Sequence, residues 1–96
     1  MAAYLLAQVE VHDMEQYRKY TAQTPALIEK YGGRFLVRGG EVVTLEGDAP
    51  ASRLVLIEFP SLQTVQDFYN SAAYQEVKQL RLPASTASFL ALDGVE

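Results

Sequence analysis

The sequence predicts an α+β sandwich in the order β-α-β-β-α-β, a split βαβ arrangement with two helices on one face of a four-stranded antiparallel sheet. Three observations carry this prediction. Apolar residues alternate along "AYLLAQVEV" and "RLVLIEF", they recur at helical spacing through 14–31 and 62–80, and glycine or proline stands at the boundaries. A chain of 96 residues suits a single domain, residues 1–96. Such a domain buries roughly 65% of its unfolded surface.

Residues Tyr4 to Val11 read as a strand with Leu5, Ala7, Val9 and Val11 on one face and Tyr4, Leu6, Gln8 and Glu10 on the other. Asp13 is placed to cap the following helix, with Gln16 completing a capping-box pattern. Met14, Tyr17, Tyr20, Thr24, Leu27, Ile28 and Tyr31 then share one helical face. Pro25 interrupts it, which predicts a kink or a fresh start with Thr24 as cap. Gly32 and Gly33 end the helix, one of them left-handed.

Residues 34–38 form the second strand, with Gly39-Gly40 as a bulge or bend and a continuation through "EVVTLEG". "GDAPAS" is a turn. In the third strand, Arg53 to Phe59, residues Val55, Ile57 and Phe59 oppose Leu54, Leu56 and Glu58. Pro60 stops it, and Ser61 caps a helix with the stripe Leu62, Val65, Phe68 and Tyr69. Ser71 caps a continuation carrying Tyr74, Val77 and Leu80, Pro83 terminates it, and Ala87 to Leu92 is the last strand.

The net charge is −4 and the 8 Lys and Arg residues are scattered, so no nucleic-acid footprint is present. The absence of cysteine excludes disulfides, thiolate metal sites and cysteine nucleophiles. No apolar run approaches bilayer length, and no basic segment precedes the short N-terminal apolar stretch. No membrane partner and no secretory leader are expected, and the expected location is cytoplasmic.

This topology places strands one and three in the middle and leaves one sheet face without helices. Its members include Tyr4, Leu6, Leu36, Leu54, Leu56, Leu90 and Leu92, too apolar a surface to leave wet. The simplest cover is a second copy of the same sheet.

The segments "AYLLAQVEV", "HDMEQYRKY", "YGGRFLVRGG", "LEGD", "LVLIEFPS" and "FYNSAAYQ" occur in an order that resembles domain-of-unknown-function family 1330, within the dimeric α+β barrel superfamily. The resemblance spans nearly the whole chain. It implies ferredoxin-like protomers packed sheet to sheet as a homodimer, with helices outside. It also implies relatives as varied as cofactor-independent monooxygenases, haem-degrading enzymes and muconolactone isomerases, so the fold alone names no reaction.

Candidate site residues follow from chemistry and placement. Strand alternation puts Arg34, Leu36 and Arg38 on one face, with Phe35 and Val37 packing under the helices. Both arginines would then meet the second protomer alongside Glu10, Leu56 and Glu58, and Glu58 suits a bidentate arginine pair. An interface ion-pair cluster is favoured over the alternative, in which one arginine receives a ligand carboxylate or enolate.

Tyr17, Tyr69 and Tyr74 lie on inner helical stripes near the two helix breaks. They are the candidates for a pocket between helices and sheet, where active relatives place substrate. His12 is the lone histidine and could handle a proton. One histidine without cysteine, and without a carboxylate at helical ligand spacing, makes a poor metal site. The resemblance implies haem-binding relatives whose histidine stands in a different context, so neither metal nor other cofactor is expected. The functional expectation is a module binding a small aromatic or anionic metabolite in the helix–sheet gap. The alternatives are a cofactor-independent oxygenase or isomerase and a structural or stress-linked dimer without ligand.

Overall fold

In the computed structural model, residues 2–49 and 53–95 are described. The elements run β1 (Ala3–Val11), α1 (Met14–Thr21), α2 (Thr24–Lys30), β2 (Arg34–Arg38), β3 (Arg53–Phe59), α3 (Leu62–Asn70), α4 (Ala72–Arg81) and β4 (Ser85–Asp93). The strands pair antiparallel in the order β2-β3-β1-β4. Strands one and three are therefore central, as the sequence predicts, and each expected helix is divided in two.

Local hydrogen bonds account for the helix boundaries. Asp13 caps α1 by accepting from the Gln16 N–H at 3.1 Å. Gln16 does not complete the capping box; its side chain donates to the Leu80 carbonyl at 3.1 Å and ties α1 to α4. Pro25 sits in the first turn of α2, where its missing N–H costs nothing, but the capping position is Gln23 and not Thr24, which is buried. Ser61 accepts from Thr64 N–H at 3.1 Å to start α3. Ser71 closes α3 through its N–H to Phe68 and opens α4 by accepting from Tyr74 N–H at 3.1 Å. Gly32 ends α2 at φ 77°, a backbone state that L side chains disfavour.

The second strand departs from simple alternation. Arg34 faces Glu58 and Phe35 faces Ile57, but the register then slips so that Val37 faces Leu56 and Arg38 faces Val55. Leu36 is the inserted residue of a β-bulge. The shared face expected for Arg34, Leu36 and Arg38 is thereby corrected. Arg38 lies with Val55 on the helix side, its guanidinium 4.4 Å from the centre of the Phe35 ring. Val37 joins Leu56 on the opposite face instead of packing under the helices.

The Gly39-Gly40 pair is a bend beyond this bulge. Gly39 has φ 69°, donates to the Leu54 carbonyl at 2.9 Å and abuts the Arg53 guanidinium, which leaves no room for a side chain. The expected continuation through "EVVTLEG" is not a strand. Residues 40–45 have no regular structure, and Val42, Val43 and Leu45 are exposed. The backbone turns at Gly39, whose N–H makes its bond to Leu54, and beyond it residues 40–45 pair with no strand among the described residues. The predicted turn at 47–52 lies partly outside the described residues.

The core occupies one side of the sheet. Ala3, Leu5, Ala7, Val9, Val55, Ile57 and Phe59 are buried beneath Tyr17, Tyr20, Ile28, Val65, Phe68, Tyr74 and Val77. Phe68 anchors it, with ring centres 4.9 Å from Tyr74 and 5.3 Å from Phe59. On the other side, Leu90, Leu6, Leu56 and Val37 line up across all four strands. Leu36, Val37, Leu90 and Leu92 are exposed there, and Leu6, Leu54 and Leu56 are half-buried. No segment of the described chain covers this face.

Replacing Phe68 by alanine empties the centre of the aromatic layer and is expected to cost about 3–5 kcal/mol. Urea unfolding at fixed protein concentration measures it; a loss under about 1 kcal/mol would mean that this layer does not hold the fold.

Candidate functional site

The helical run breaks at Ser71, whose extended backbone separates α3 from α4, and on β4 the residues Ala87 and Ala91 facing this helix pair are small. Together these leave a cavity of about 430 Å³ between the helix pair and β1–β4. Leu5, Val65, Ala87, Phe89 and Ala91 form its apolar walls. The polar groups come from the helices: Gln66, Tyr69 and Asn70 from α3, Lys78 and Arg81 from α4. The volume falls within the range of small-molecule sites, and mostly apolar walls with a few convergent polar groups are their usual make-up.

Arg81 is the electrostatic centre of this region. It is only 4% exposed. Its Nη2 reaches the Tyr74 hydroxyl at 3.5 Å, a long hydrogen bond. Its guanidinium lies 4.4 Å from the Phe89 ring centre and 5.6 Å from that of Tyr20. Its Nε is buried without a hydrogen-bond partner, and no ion pair reaches it from the described residues. Burial alone would lower its pKa, but the Tyr74 and Tyr20 hydroxyls outweigh that and hold it above its ordinary value.

The tyrosines pack behind the cavity as a hydrogen-bonded layer. Tyr20 and Tyr74 share a 2.8 Å hydroxyl contact. Burial first, and then the neighbouring Tyr74, pushes the Tyr20 pKa far above its ordinary 10.0. Burial also raises Tyr17, against the opposing charge of Arg53. Neither tyrosine is a base near neutral pH.

A second gap, under α1 and α2, has about 40 Å³ of free space and is lined in part by Tyr17, Phe35, Arg38 and Arg53. That is room for a water or so and not for a metabolite.

The residues singled out from the sequence therefore separate. Tyr69 lines the large cavity, and Tyr74 lies immediately behind it, bonded to Arg81. Tyr17 and Arg38 border the narrow gap. Arg34 is on the outer face, its Nε donating to Glu58 Oε1 at 2.7 Å. Leu36, Leu56 and Glu10 also belong to the outer side or its rim. His12 is exposed at the β1–α1 junction; its Nε2 is 2.9 Å from Thr86 Oγ1 and its Nδ1 is 3.9 Å from Glu10. It borders neither gap.

Arg81, Lys78, Gln66 and Asn70 were not among the sequence-derived candidates. Arg81 did carry a signal. It follows Val77 by four residues and Tyr74 by seven, which puts a cation on the buried stripe of its helix.

With the geometry in place, comparison with known proteins assigns a family. The family described as a domain of unknown function, DUF1330, matches residues 2–95. The chain belongs to that family. No curated protein matches the sequence. Among solved structures, a protein of unknown function from Rhodopseudomonas palustris is similar at 17% identity and a TM-score of 0.76, covering 99% of this chain and 83% of that one. SnoaB, a cofactor-independent oxygenase from Streptomyces nogalater, is similar at 11% identity and TM-score 0.66, covering 99% and 94%. A dimeric protein of unknown function and ferredoxin-like fold from Bacteroides fragilis follows at 10% identity and TM-score 0.63, covering 97% and 96%. At these identities the likeness establishes the ferredoxin-like α+β fold that the sequence predicts, and nothing about chemistry.

The buried phenols make a pH prediction for this DUF1330 domain. Their folded pKa values lie above the unfolded value of 10.0, so their contribution to stability is complete below that pH and is lost as pH rises past it. Urea midpoints are expected to fall between about pH 8 and about pH 11, less steeply in Tyr20→Phe. Equal slopes in the two proteins would contradict the burial assigned to Tyr20.

Proposed function

We propose that this DUF1330 protein is a homodimer that binds a small aromatic or anionic metabolite in the cavity between α3–α4 and β1–β4. The observation that carries the reading is the cavity itself: about 430 Å³ of space, lined by apolar strand residues and by helix residues that supply its polar groups. Ligand capture needs both, the first for affinity and the second for orientation.

The dimer reading rests on the outer face, where the Leu90–Leu6–Leu56–Val37 row spans the sheet without cover. A second sheet lying on that row removes it from water, and the solved relatives described as dimeric support the same assembly. Arg34 and Glu58 stand at the end of this face as an interface pair. Arg38, turned inward by the bulge, has no part in it.

A cofactor-independent oxygenase is the second reading, favoured by the likeness to SnoaB. Such chemistry needs a group that takes a proton near neutral pH. Tyr17 and Tyr20 are raised away from that range, and His12 borders neither gap. Binding without turnover is therefore the better-supported role.

Light scattering at micromolar concentration is expected to report a dimer. Leu90→Asp places an unpaired carboxylate in the contact at a cost of about 3–5 kcal/mol and is expected to yield a folded monomer. A wild-type monomer would sink the assembly. For the ligand, native mass spectrometry of the protein with a metabolite mixture is expected to show a retained small molecule. Ala91→Trp fills the cavity and should abolish retention; retention unchanged by that substitution would place the ligand elsewhere.

A further inference from the structure

We propose that the α3–α4 cavity is built for a planar aromatic carboxylate, with Arg81 as the residue that holds the carboxylate. The inference rests on the cavity being the ligand site and adds the ligand class and the anchoring group.

Charge around Arg81 is out of balance. A guanidinium remains protonated at any accessible pH, so burial cannot neutralise it. A buried charge is ordinarily matched by an opposite charge. Around Arg81 the described residues offer a long contact to the neutral Tyr74 phenol at 3.5 Å, the nearby Tyr20 hydroxyl and the faces of Phe89 and Tyr20, and no carboxylate forms an ion pair with it. The Tyr74 hydroxyl also meets the Tyr20 hydroxyl at 2.8 Å, and neither phenol carries a charge to match the guanidinium. Ring faces attract a cation but supply no acceptor for its N–H groups.

The cavity wall repeats the imbalance. Its lining contains two cations, Lys78 and Arg81, and no carboxylate, in a chain whose net charge is −4. The Lys78 amine lies 5.1 Å from the centre of the Tyr69 ring and Arg81 lies against Phe89, so each cation is placed beside an aromatic wall. Tyr69 and Phe89 stand 6.0 Å apart between ring centres. This combination suits a ligand that is flat and apolar over most of its surface and anionic at one end. A carboxylate supplies two acceptor oxygens to the planar fork of an arginine, a match that neutral ligands lack.

The test uses 1-naphthoate and its neutral isostere 1-naphthamide as probes, with calorimetric titration of the intact dimer. Wild type is expected to favour the carboxylate by about tenfold or more, the scale of one charged hydrogen-bonded contact. Arg81→Met should erase that preference while naphthamide binding persists. Arg81→Lys keeps the charge without the fork and should show an intermediate preference, which covers the case in which the methionine variant fails to fold. Equal affinity of wild type for both probes, or a preference that survives in both variants, overturns the role of Arg81. Binding of neither probe, or binding indifferent to Ala91→Trp, overturns the cavity as the ligand site and the proposal with it.

Discussion

A four-stranded sheet has two faces, and among the described residues the four short helices cover one of them. That constraint governs the rest of the molecule. Along the central strand β1, Leu5 and Leu6 point to opposite sides, and both sides are apolar. The helix side is closed by the aromatic layer of Phe59, Phe68, Tyr20 and Tyr74. The other side remains uncovered in the protomer. A chain of this length has little core to spare, so an assembly that buries the outer face would add substantially to its stability.

The same shortage shapes the cavity. Beside the helix pair broken at Ser71, alanines at 87 and 91 leave space unfilled. A tightly packed interior would gain stability from larger side chains there. A guanidinium is placed in that wall where a methionine or leucine would satisfy packing alone. Small residues around open space together with an unmatched buried cation run against what folding favours. Local departures of this kind are where binding sites are found.

The bulge at Leu36 shows how one inserted residue redirects chemistry. Without it, Arg34 and Arg38 would stand on one face and form a single cationic cluster. With it, Arg34 meets Glu58 on the outer face, and Arg38, still exposed, lies on the helix side against Phe35. The pair that looks most functional in the sequence is thus split between two environments. The cation with the strongest claim to a ligand lies instead on α4, on the buried stripe with Tyr74 and Val77.

Local patterning by itself determined the element order, the central pair of strands, the helix breaks at Pro25 and Ser71, and the apolar outer face. These depend on side-chain period and on backbone limits of glycine and proline, which act over a few residues and can be read from them. Tertiary structure alone decided the register slip at Leu36, the loss of a strand through "EVVTLEG" and the cavity around Arg81. Each depends on what lies opposite in space, down to which carbonyl an N–H meets. Tyr69 was legible because its stripe pointed inward. Arg81 gained its significance only when its surroundings proved to hold no matching carboxylate, and that is a property of the packed neighbourhood and not of any short stretch of chain.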